Sequence, residues 1–205
     1  MYRITKADFP RLEQILTKCF AVDPLYCKLI PDENIRQKLL PELFKRDIEE
    51  MFSTCDIFSD GPDINSVLVV SDESEPYNHL HYFMTEHLAG LKTDEYVIRE
   101  DPSLHTFMNF FEGREYLNSA WTDMLEKHDR IHIVYLAVDP SMQHHEIAAK
   151  LLGEVERYAK EHHLMISLET HNEKNVSFYK RFGFDMYDII EKCFDLKQYC
   201  MIKRF

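Results

Sequence analysis

Two stretches of the chain place polar residues at spacings that could do chemistry. The first is the loop Ser141, Met142, Gln143, His144, His145, Glu146. It leads into a run with Ile147, Ala148, Leu151, Leu152, Val155, Tyr158 and Ala159 on one helical face. A helix opening from such a loop leaves backbone N–H groups unpaired at its positive end, which makes an anion site. The second stretch runs from Glu169 through Asn172, Asn175 and Tyr179 to Gly183. Asn172 is a good N-cap, and Asn175 and Tyr179 share one helical face at i and i+4. A phenol there can donate a hydrogen bond to a developing anion without carrying charge at neutral pH. Metal chemistry is not expected: His145 and Glu146 are followed by Ala149 where a second histidine would complete the zinc motif H-E-x-x-H. The pairs His79 with His81 and His162 with His163 also lack partners at ligand spacing. Five unclustered glycines exclude a P-loop and a dinucleotide fingerprint.

The elements that must hold these residues can be read from the pattern. Residues 131–138 are β-branched and aromatic with apolar side chains on both faces, as in a buried strand, and Asp139-Pro140 stops it. The periodic run predicts a helix from near 143–147 to near His163. A second strand is expected over Met165–Thr170, followed by a short helix that Gly183 closes.

In this order, strand, V-D-P, a loop with glutamine, amphipathic helix, strand and N-x-x-N-x-x-F-Y-x-x-x-G-F, residues 131–184 resemble the GNAT superfamily of N-acetyltransferases. The resemblance implies an α/β fold: a central mixed, mostly antiparallel sheet flanked by helices. It would form one domain over 1–205, with an acyl-CoA-binding core at 131–184 and a helical insertion at 76–128 over the acceptor side. It also implies acetyl-CoA as acyl donor, no metal, and a small-molecule or peptide primary amine as acceptor. By the same resemblance the pantetheine would pair with Leu136, Ala137 and Val138, and the diphosphate would meet Gln143, His144, His145, Glu146, Ile147 and Ala148. Asn172 and Asn175 would hold the CoA arm, and Tyr179 would be the general acid toward the departing thiolate. An ammonium acceptor must lose a proton before attack, so a base is needed. Glu169 is the first candidate, with His132 and His171 as alternatives.

The family's loop reads Q/R-x-x-G-x-G/A, and here Glu146 stands at the central glycine. A carboxylate about 4 Å from a diphosphate oxygen would cost ~1 kcal/mol in water and ~4 kcal/mol at an effective dielectric near 20. Without glycine the loop is also expected to be limited to conformations that tolerate a Cβ. Protonated His144 and His145 would offset the charge. The competing reading is a degenerate member that binds a ligand or protein without chemistry.

A chain of 205 residues with 45% apolar content can bury a substantial core. Net charge −12 works against nucleic-acid binding and favours a cationic acceptor. Five scattered cysteines without a C-x-x-C pair read as reduced thiols. No signal region or apolar run of membrane-spanning length is visible, so a cytoplasmic protein is expected, and a homodimer stays open. Elsewhere, Glu33–Phe52 reads as a helix that Pro41 should kink or split, and Ser66–Ser71 as a buried strand. Between Pro76 and His128, helices are expected on Tyr82, Phe83, His87 and Leu91, and on Phe107, Phe110, Phe111, Tyr116, Leu117, Trp121 and Leu125. A hairpin over 184–205 closes the chain.

Overall fold

The computed structural model describes residues 1–72, 94–125 and 129–205. These form a seven-stranded sheet in the order β1 (Tyr2–Arg3), β2 (Asp56–Ser59), β3 (Ser66–Asp72), β4 (Arg130–Val138), β5 (Met165–Thr170), β7 (Lys197–Lys203), β6 (Asp185–Glu191). Every pairing is antiparallel except β4 with β5. The mixed, mostly antiparallel sheet expected from the sequence is present, and the closing hairpin is β6 with β7.

Helices cover both faces, which is why the central strands are apolar throughout rather than alternating. On one face α1 (Phe9–Phe20), α2 (Pro24–Leu29) and α3 (Glu33–Thr54) pack Leu12, Ile15, Leu16, Leu40 and Phe44 against Val67 and Val69 of β3. On the other, α6 (Ile147–Glu161) and α7 (Glu173–Arg181) pack Leu151, Leu152, Val155 and Tyr179 against Leu68, Ile133, Ile166 and Leu168.

A β-bulge breaks this parity in β4. Val69 pairs with Tyr135 but Val70 with Ile133, so Val134 is the extra residue. Before it, Ile131 and Ile133 face α6; after it, Tyr135 and Ala137 face α1, while Leu136 and Val138 take over the α6 side. Pairing of β4 with β5 ends at Ile133 with Leu168. The two parallel strands part where the bulge reorients the chain, leaving a cleft.

Three expectations change. Pro41 does not split its helix: α3 is continuous, because Leu39 and Leu40 before it and Leu43, Phe44 and Ile48 after it are all buried in one core. Helix α2 was not foreseen, although its signals are ordinary ones. Pro24 stands at its first position and Asp23 caps it, accepting the Leu25 N–H at 2.9 Å. The aromatic run after α4 (residues 94–100) forms α5 (His105–Gly113) and then 3-10 turns at Arg114–Tyr116 and Ala120–Met124 rather than a second α-helix. The helix expected on Tyr82, Phe83, His87 and Leu91, and the pair His79 and His81, lie outside the described residues. Among the described residues no helix is long and apolar enough to cross a membrane, and the five cysteines are free thiols.

Candidate active site

The cleft is bounded by β4 beyond its bulge and by the end of β5, with α7 across its mouth. Two cavities flank α7, lined by different faces of the helix. Asn175 and Tyr179, at i and i+4, line one; Phe178, Arg181 and Phe182 line the other.

The second cavity holds about 440 Å³ and is formed by Val138, Met142, Gln143, His144, Glu146, Ile147, Ala148 and Ala149 from the strand end, loop and first turn of α6. Gln143 turns back, its Nε2 donating to the Val138 carbonyl at 3.3 Å, and His145 Nδ1 lies 2.9 Å from the Gln143 carbonyl. His144 and Glu146 both have positive φ, 68° and 60°. Glu146 thus adopts a left-handed conformation that glycine takes most easily, so the Cβ that limits the loop still leaves it a positive φ here. Glu146 is the N-cap of α6 but its carboxylate makes no capping bond. Arg181, exposed on α7, lines the same cavity and brings positive charge to it. This arginine escaped the sequence reading. Its only signal was sharing a helical face with Phe178 and Phe182, beside the motif residues. Free N–H groups at the helix start, a roomy cavity, and one arginine fit a diphosphate-bearing ligand.

The first cavity, about 170 Å³, brings together Leu136, Glu169, His171, Asn175 and Tyr179 with Asp23, Tyr26, Tyr116 and Ser119. Tyr179 is buried against Phe178 and Phe184, with ring centroids 5.3 and 5.7 Å away, and its hydroxyl makes no hydrogen bond among the described residues. Burial pushes its pKa up to about 12, so it stays a protonated donor.

Glu169 is held on three sides. Ser119 Oγ donates to one carboxylate oxygen at 2.7 Å, Trp121 Nε1 donates to the other at 2.8 Å, and His132 Nε2 lies 3.3 Å from that second oxygen. Burial would raise its pKa, but His132 and the two other donors outweigh that and leave it below the usual glutamate value. His132 is itself fixed by Ser167 Oγ at 2.9 Å from Nδ1. His171 is kept neutral by burial, its pKa lowered to about 4. Of the other residues singled out in the sequence, Ala137 points its methyl into the α1 core, and Asn172 caps α7 by accepting the Lys174 N–H at 3.1 Å. Asn175 Nδ2 donates to Thr170 Oγ1 at 3.1 Å, which fixes its orientation in the cavity.

The sequence matches the acetyltransferase (GNAT) family over residues 64–184, more than half the chain, and the protein belongs to that family. No curated protein matches it. Among solved structures it is similar to a histone acetyltransferase HPA2 and related acetyltransferase from Corynebacterium glutamicum, at 21% identity and TM-score 0.62 over 100% of this chain and 97% of that one. It is also similar to an N-acetyltransferase from Staphylococcus aureus, at 12% identity and TM-score 0.62 over 98% of each. At those identities the likeness shows a shared fold. Among the described residues no cluster of histidine, cysteine or acidic side chains could hold a metal ion.

Proposed function

We propose that the protein is an acetyl-CoA-dependent N-acetyltransferase that acetylates a primary amine by direct attack. The observation that carries this reading is the parting of β4 from β5 beside Tyr179, a buried side chain that lines the cavity and whose hydroxyl has no hydrogen-bond partner among the described residues. Bound acetyl-CoA supplies the acetyl group as a thioester, whose C–S bond gives way to a C–N bond with the acceptor.

The chain's own residues do the rest. Leu136, Ala137 and Val138 offer the β4 backbone that β5 leaves unpaired, so an extended pantetheine can add to it as a strand would. The amides of residues 143–148 meet the diphosphate, with Arg181 lining the same cavity. Asn175 orients the arm from the cavity side; Asn172 contributes by capping the helix that carries Asn175 and Tyr179. Tyr179 donates its proton to the departing sulfur. Glu169, backed by His132, takes the proton that the ammonium must lose.

The reading as a binding module without chemistry draws on Glu146 in the loop. Arg181 in the same cavity supplies a charge that answers it. Calorimetric titration with acetyl-CoA, followed by thiol release with a panel of amines, separates the two. Binding with amine-dependent thiol release supports the transferase; binding with no release from any amine supports the module; no binding rejects both forms of the CoA reading.

A further inference from the structure

The walls of the cavity that Tyr179 lines are aromatic: Phe20, Tyr26, Tyr116 and Tyr135 contribute. The tyrosine hydroxyls are engaged elsewhere. Tyr135 donates to Asp47 at 2.9 Å, the Tyr26 hydroxyl lies beside that of Tyr135, and Tyr116 donates to the Leu196 carbonyl at 2.8 Å and accepts the Lys192 N–H at 2.6 Å. Edge contacts fix the rings, with Phe20 centroids 5.7 Å from Tyr26 and 5.3 Å from Tyr135. What these side chains offer a ligand is therefore π surface rather than hydroxyl groups.

Charge in the lining has one sign. Asp23 and Glu169 belong to it, and among the described residues it contains no lysine or arginine. Glu169 is already held by its three donors. Asp23 accepts only the Leu25 N–H, and no cation pairs with it among the described residues. His171 Nε2, also in the lining, is buried without a hydrogen-bond partner, as expected where a ligand group completes the set. An aromatic wall beside an unpaired carboxylate suits an organic cation.

We infer that the acceptor is a small amine with an apolar or aromatic body and no anionic group, its ammonium anchored by Asp23 and its body seated against Phe20, Tyr26, Tyr116 and Tyr135. This rests on the acetyltransferase reading and names the substrate class of the same site. The volume of about 170 Å³ equals that of five or six waters at ~30 Å³ each, so the body is compact. A ligand carboxylate would meet two protein carboxylates with no lysine or arginine among the described lining residues to answer it. Burial already pushes the Asp23 pKa up to about 6, the mark of a carboxylate that gains from a cationic partner.

The test compares 2-phenylethylamine, phenylalanine and spermidine by thiol release from acetyl-CoA, and measures 2-phenylethylamine binding to the protein by calorimetry. Phenylalanine keeps the ring and adds a carboxylate; spermidine keeps the cation and lacks the apolar body. The expected kcat/KM for 2-phenylethylamine exceeds that of either by about 100-fold or more. Asp23→Asn keeps the cap of α2, since asparagine caps as well as aspartate. It should raise KM and the calorimetric Kd for 2-phenylethylamine by ~10-fold to 100-fold, the worth of a hydrogen bond to charge, with kcat within about threefold. Acetyl-CoA affinity should hold. Phenylalanine or spermidine matching 2-phenylethylamine, or Asp23→Asn leaving its KM and Kd in place, would overturn the inference. Failure of acetyl-CoA to bind would sink the transferase reading instead, and amine binding to the protein alone would still decide this one.

Discussion

Arg11 on α1 and Asp139 at the end of β4 form an ion pair at 2.9 Å, with Lys18 adding a second cation at 3.3 Å from the same oxygen. The other carboxylate oxygen accepts the Ser141 N–H at 3.0 Å and its hydroxyl at 2.7 Å. Asp139 is 2% exposed, so one side chain ties the first helix to the entrance of the 141–146 loop. Removing its charge leaves Arg11 facing a neutral partner. Asp139→Asn should cost about 2–3 kcal/mol, the lower end for a broken buried pair because both cations are partly exposed. The Ser141 hydrogen bonds first, and then the cations, hold its pKa well below the usual value near ~4. A depressed carboxylate stabilises above its unfolded pKa and loses that effect as pH falls below it. Urea midpoints should differ between wild type and variant at pH 7 and converge as the pH drops below about 4; a gap of equal size at pH 3 would contradict this account.

Glu146 separates conformation from charge. Its left-handed φ costs a non-glycine residue roughly 1–2 kcal/mol, and the residue lines the cavity proposed for the diphosphate. Glu146→Gly should therefore raise stability by ~1 kcal/mol and tighten acetyl-CoA binding about tenfold. Glu146→Ala should tighten binding similarly while leaving stability near wild type, since alanine keeps the strain. Arg181→Ala should move affinity the other way by ~10-fold. Thermal denaturation and calorimetry on the three variants read both effects; a stability gain in the alanine variant equal to that in the glycine one would show that strain is not the cause.

Most of the fold around the site follows from local pattern. The strand over 165–170, the N-cap at Asn172 and the left-handed Gly183, φ 76°, lie where the apolar run and the asparagine and glycine chemistry put them. The bulge at Val134 was not legible, because Ile131 to Val138 is apolar on both faces and a strand buried on both sides gives no parity to lose. For the same reason the cleft it opens could be expected only from the resemblance. Within the site, Tyr179, Asn175 and Glu169 were visible because one element or its neighbour carries them. Asp23, Ser119 and Tyr116 come from α2 and from turns far along the chain, so their meeting with Glu169 is a tertiary fact with no sequence period.

Trp121 is the chain's single tryptophan, and its indole N–H donates to Glu169. Its fluorescence should therefore report the charge of the proposed base. Because the Glu169 pKa lies below the ordinary value of 4.5, emission should be flat from pH 8 to pH 5 and change only below about 4.5. The stabilisation from its hydrogen bonds is present above that unfolded value and fades as pH falls through the folded one. Glu169→Gln should abolish this acid transition and lower kcat by ~10²-fold to 10⁴-fold, the usual range for a lost acid or base, without weakening acetyl-CoA binding. A variant that retains both turnover and the fluorescence transition would remove Glu169 from the base role.

Tyr179 makes the sharpest demand on the proposed chemistry, because its hydroxyl has no hydrogen bond to lose among the described residues. Tyr179→Phe keeps the ring against Phe178 and Phe184, so folding stability and acetyl-CoA affinity should stay within about twofold to threefold. If the phenol protonates sulfur, kcat should fall by roughly 10²-fold or more. Its pKa of about 12 means the donor is fully protonated through pH 10, so an alkaline limb below that pH belongs to another group and should survive in the variant. The defect should also depend on the leaving group. A thiolate that departs easily needs less help from an acid, so acetyl thioesters of more acidic thiols should narrow the gap between wild type and Tyr179→Phe. A gap that stays constant as the thiol becomes more acidic would mean that Tyr179 positions the substrate and transfers no proton.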